Sequence, residues 1–88
     1  MIVSRTDLAD AILSLCAARG EEKSICPSEV ARALAGNDEK QWRLLMHPIR
    51  EAALVLAREG RIAILRKGKP TDPAAMPKGV IRLRIVQP

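Results

Sequence analysis

The chain of 88 residues contains no Phe, no Tyr and one Trp, Trp42. Modules that hold single-stranded nucleic acid stack successive bases on aromatic platforms. One indole cannot supply such a platform, so that mode is not expected. The core must be aliphatic, and a hydrophobic content of 48% suits a folded globular domain and is too high for a disordered chain. A single histidine, His47, leaves no pair of imidazoles for a metal. Cys16, Cys26 and His47 offer three ligand types, but their spacing fits no usual zinc pattern. No cofactor is therefore expected. The two cysteines form no Cys-x-x-Cys pair and are expected to be reduced and buried. Lys67-Gly68-Lys69 is a turn and not a phosphate loop of the Walker type. Glu21/Glu22 and Asp38/Glu39 occupy turn and cap positions rather than forming an acid–base pair. The expectation is a non-enzymatic protein with no evident small-molecule substrate. No apolar run approaches the roughly 20 residues needed to cross a bilayer. Met1 to Asp10 holds two acids and no signal-peptide pattern. A cytoplasmic protein without a membrane partner is expected.

What the chain does have is a lopsided charge. Its formal net charge is +5. Residues 58–88 carry eight Lys/Arg against Glu59 and Asp72, which gives +6, while residues 1–57 carry seven basic and eight acidic residues, which gives −1. The positive charge belongs to the last third of the chain.

The first two thirds read as helices. Ser4 with Asp7 three residues on is a helix start, and Leu8, Ile12, Leu15 and Cys16 recur at helical spacing up to Gly20, giving a first helix over 5–19. Ser24-Ile25-Cys26 is long enough only for a strand stub. Pro27 suits a first helical position and Glu29 its first turn, so a second helix spans 27–35 with Val30 and Leu34 inward. Asp38 is the next N-cap. Over 39–59, Trp42, Leu45, Met46, Ile49, Ala53 and Leu56 share one side and Arg43, His47 and Arg50 fall nearly opposite. Pro48 interrupts this run, which is either a short helix over 39–46 followed by one over 48–59, or one kinked helix.

The last third reads as a basic hairpin over 61–86. Ile62 and Ile64 alternate weakly, whereas Ile81, Leu83 and Ile85 alternate clearly with Arg82 and Arg84. Three prolines and two glycines between Gly68 and Gly79 make a long loop. The fold class expected is α+β, as a single winged helix-turn-helix domain over 1–88. It has three helical segments followed by a two-stranded β-hairpin wing.

The segments Ile25-Cys26-Pro27-Ser28-Glu29-Val30-Ala31-Arg32-Ala33-Leu34, Trp42-Arg43-Leu44-Leu45-Met46, Glu59-Gly60-Arg61-Ile62 and Lys67-Gly68-Lys69-Pro70 resemble domain-of-unknown-function family 3253. That family consists of small bacterial proteins expected to be winged-helix-like. The resemblance covers nearly the whole chain. It implies the fold and no activity, so no functional residue carries over.

Three groups of residues are candidates. Arg43, His47 and Arg50, flanked by Lys40, are the stripe a groove-entering helix would present to duplex DNA, with Arg suited to guanine; the competing reading is a solvated helix face. Glu51 beside the stripe and the apolar run 52–57 weigh against DNA. Leu44, Leu54 and Val55 project away from the main apolar stripe and are candidates for a homodimer or partner contact, unless helix 1 and the wing cover them. Lys67, Lys69 and Lys78, with Arg66, Arg82 and Arg84 on the strands, suit a phosphate backbone; the alternatives are solubility and, for Arg82 and Arg84, pairing with acids of the body. Cys26 at a helix start is either a redox-sensing thiol or a cap-position filler. The leading expectation is a small duplex-DNA-binding protein. The alternative is a winged-helix module for protein–protein interaction.

Overall fold

The computed structural model describes residues 3–75 and 77–86. Helix α1 spans Arg5–Arg19 and α2 spans Pro27–Ala35. Ser4 Oγ accepts from Asp7 N at 3.1 Å and the Asp7 carboxylate accepts from Ser4 N at 3.2 Å, so each end of the box satisfies an N–H that the helix leaves unpaired. Glu29 does the same for α2, accepting from Cys26 N at 2.7 Å.

The third helical region differs from both expected forms. Helix α3 spans Glu39–Trp42, a 3₁₀ turn covers Arg43–Leu45, and α4 spans Met46–Arg58. The break therefore precedes Pro48 rather than falling at it. Pro48 is the third residue of α4, inside the first turn, where its missing N–H would have no intrahelical acceptor. Buried Ile49, Ala53 and Leu56 line the inner face of α4, and Trp42, Leu45 and Met46 are half-buried against the same core.

The expected two-stranded hairpin is a three-stranded antiparallel sheet in the order β2-β1-β3, with β1 at Ile62–Arg66, β2 at Lys69–Pro70 and β3 at Arg82–Ile85. Strand β2 pairs Leu65 with Pro70 and Arg66 with Lys69. Thr71 extends that pairing, its N–H and its hydroxyl both donating to Ile64 O at 2.9 and 3.0 Å. Strand β3 pairs along β1 from Ile62–Ile85 to Leu65–Arg82. On its other edge, Ile25 and Leu83 exchange two backbone hydrogen bonds of 2.8 Å, which makes the stub before α2 an isolated bridge to the sheet. Met76, within the expected loop, and the chain ends at 1–2 and 87–88 lie outside the described residues.

The core lies between the inner sheet face and the helices. Ile12, Cys16, Val30, Ile49, Ile64, Ile81 and Leu83 are all less than 2% exposed. It is wholly aliphatic and thiol, and among the described residues no polar or charged side chain is buried.

Candidate nucleic-acid interface

Cations collect at the far end of the sheet. The β1–β2 hairpin closes through Lys67 and Gly68, at φ +53° and +81°. Lys67, Lys69 and Lys78 are exposed and Arg66 is half-buried. Among the described residues the contacts between basic and acidic side chains are His47–Glu51 at 2.7 Å, ionic only when the imidazole is protonated, and Arg61–Glu59 at 4.0 Å. Neither involves a cation between positions 66 and 84, so that stretch keeps its positive field. Arg82 does not pair with an acid. Its Nε donates to Ser24 Oγ at 2.6 Å and its Nη2 to Ser24 O at 2.8 Å, tying β3 to the turn before α2.

The helical candidates divide. Lys40 on α3 and Arg43 on the 3₁₀ turn are exposed, as is His47, whose imidazole is held by Glu51 one turn on. Arg50 is half-buried and is used inside the molecule: its guanidinium donates to Pro77 O at 3.0 Å and Gly79 O at 3.3 Å. Arg58 acts alike on Pro73 O and Ala74 O, at 3.0 and 3.2 Å. Positions 50, 54 and 58 are one turn apart on α4, so two arginine forks hold Pro73, Ala74, Pro77 and Gly79 along one helix face. Sequence reading could not find this clamp, because its partners are backbone carbonyls 15 to 29 residues away. Each such hydrogen bond is worth about 1 kcal/mol net. Replacing both Arg50 and Arg58 by Gln is expected to raise local opening around Pro73 and Ala74 by roughly ten- to thirtyfold, read as hydrogen exchange of the Ala74 amide, which donates to Asp72 Oδ1 at 2.9 Å. Unchanged exchange would show that the clamp holds nothing.

Leu54 is half-buried and packs against the core, whereas Leu44 and Val55 are 69% and 52% exposed. Val55 stands at a groove of about 590 Å³ between α1 and α4, floored by Leu8, Ala52 and Leu56 and rimmed by charges of both signs. Arg32 lies over the Trp42 ring, 5.6 Å from its centroid, and joins α2 to α3 by a cation–π contact.

Both cysteines are free. Cys16 is fully buried, and desolvation, with a further contribution from the charge of Glu29, pushes its thiol up to about 11. Cys26 is half-buried and accepts the Ser28 hydroxyl at 3.2 Å. Among the described residues no three of His, Cys, Asp and Glu gather as metal ligands. For Cys16 the folded value exceeds the unfolded one, so its contribution to stability is complete below pH 9 and is lost as pH rises through 11. The expected loss is about 2 kcal/mol across that window. Urea unfolding of Cys16→Ala should show a correspondingly smaller fall between the two pH values; an identical fall in both proteins would assign the effect to other groups.

The family described as "Protein of unknown function (DUF3253)" matches residues 5–86, and the chain belongs to that family. The match runs from the start of α1 to the residue after β3. No curated protein matches the chain.

Proposed function

We propose that the protein is a non-enzymatic winged-helix module that binds duplex DNA mainly through its phosphates. The order α1, bridge strand, α2, α3–α4, β1, loop, β3 supports the winged-helix reading, with 67–81 as the wing. The observation that carries the DNA reading is the uncompensated charge at Lys67, Lys69 and Lys78, on an exposed turn and the segment facing it. Lysines on a wing meet the phosphate backbone, where contacts position the protein without reading sequence. Lys40 on α3 and Arg43 on the 3₁₀ turn are further exposed cations. Helix α4 is poorly arranged for base readout, since Arg50 is committed to the loop and Glu51 occupies His47.

Titrating the protein against a random duplex pool at two salt concentrations tests this. Binding near micromolar or tighter at low salt, falling steeply with added salt, is the expected result. No binding at low salt would overturn it. The exposure of Leu44 and Val55 favours a second reading, a contact with another protein or a second copy of the chain. Such apolar association would change little with salt.

A further inference from the structure

Arg50 grips the chain on both sides of Lys78. Its Nη2 donates to Pro77 O at 3.0 Å and its Nη1 to Gly79 O at 3.3 Å. Among the described residues these are the only hydrogen bonds that tie residues 77–80 to the rest of the molecule. The segment runs between β2 and β3, and neither ladder reaches it. Lys67 and Lys69 need no such hold, since they sit in and beside the turn of a hydrogen-bonded hairpin. Lys78 is the wing lysine that depends on a side chain for its place. Gly79 completes the grip: at φ +86° it holds a conformation that a Cβ would strain, and its carbonyl meets Arg50 there. Arg50 itself stands on α4 beside the buried Ile49, so the hold runs from the core to the wing.

The acceptors are neutral. A carboxylate would fix the segment by cancelling charge. Two carbonyls fix it and leave both the Arg50 guanidinium and the exposed Lys78 ammonium without an acidic partner.

We propose that Arg50 is a positioning residue for phosphate binding, acting through Lys78 by fixing the backbone on either side of it. A lysine on a free segment loses backbone entropy when it meets a phosphate, whereas one on a held segment has less to lose. The inference rests on the duplex-DNA reading and gives Arg50 a part in it other than contact with a base.

A double-mutant cycle tests this. Random duplex is titrated across a salt series with wild type, Lys78→Ala, Arg50→Gln and the double variant. Lys78→Ala should weaken binding about fivefold and flatten the salt slope by about 1. Arg50→Gln should reproduce about threefold of that loss, and the double variant should stay within about 1.5-fold of Lys78→Ala. Losses that multiply to roughly fifteenfold or more, with slope changes summing to about 2, would make Arg50 a phosphate ligand in its own right and overturn the proposal. Gly79→Ala keeps every cation and strains the grip. It should weaken binding in the wild-type background and change nothing in the Lys78→Ala background; equal losses in both would overturn the proposal. The heteronuclear {1H}–15N NOE of the Lys78 amide should fall in Arg50→Gln. An unchanged value would show a segment ordered without Arg50, and would overturn the proposal whatever the titrations give. Failure of the wild type to bind duplex at low salt would refute the DNA reading and this role with it, whereas additivity in the cycle refutes the positioning role alone.

Discussion

Changing Lys67, Lys69 and Lys78 together to Ala is expected to weaken duplex binding on the order of a hundredfold at low salt. The slope of log K against log salt should flatten by about 2 to 3, because every phosphate that is no longer neutralised keeps close to one counterion in place. The three side chains are exposed and unpaired among the described residues, so folding should be nearly unaffected; exposed substitutions typically stay within about 0.5 kcal/mol. Circular dichroism and urea unfolding check that part, and a salt series of equilibrium titrations checks the rest. Unaltered affinity and slope in the triple variant would refute the wing as a phosphate surface.

The largest effect on stability is expected at Leu83. This residue is fully buried and stands where three elements join: it pairs with Ile64 of β1 on one edge and exchanges backbone hydrogen bonds with Ile25 on the other. Leu83→Ala deletes core volume at that junction, where neither backbone can move inward without breaking a ladder. The expected cost is about 3 to 4 kcal/mol, a large share of the roughly 5 kcal/mol at the low end for natural domains, where a chain this small belongs. Chemical denaturation should show a protein partly unfolded at physiological temperature. Val80→Ala, at 78% exposure, should cost less than about 0.5 kcal/mol. A Leu83 variant within about 1 kcal/mol of wild type would mean that the sheet and α2 are not coupled through this residue.

Helices α1 and α2 were legible to the residue, because Ser4, Asp7 and Gly20 bracket one and Pro27 and Gly36 the other. The chemistry of those ends is local. Region 39–58 was legible in its apolar face and wrong in its break point. Proline marks where a helix cannot continue from before, but it is also at home in a first turn, and Leu45 rather than His47 takes the transition. Strand β2 was illegible: two residues, one of them proline on a sheet edge, carry no alternation. In the candidate interface the exposed lysines were legible as charge alone. The fates of Arg50, Arg58 and Arg82 were not, since backbone and hydroxyl oxygens brought close only by folding decide them.

The clamp on α4 has a consequence for how this surface can diversify. Arg50 and Arg58 grip peptide carbonyls, which every amino acid provides. The hold on Pro73, Ala74, Pro77 and Gly79 thus runs through their backbone and not through their side chains. The exposed side chains of Ala74, Ala75 and Lys78 can therefore be rewritten without loosening that hold, which makes them natural grafting points for new specificity, whether by selection in the cell or by randomised libraries at the bench.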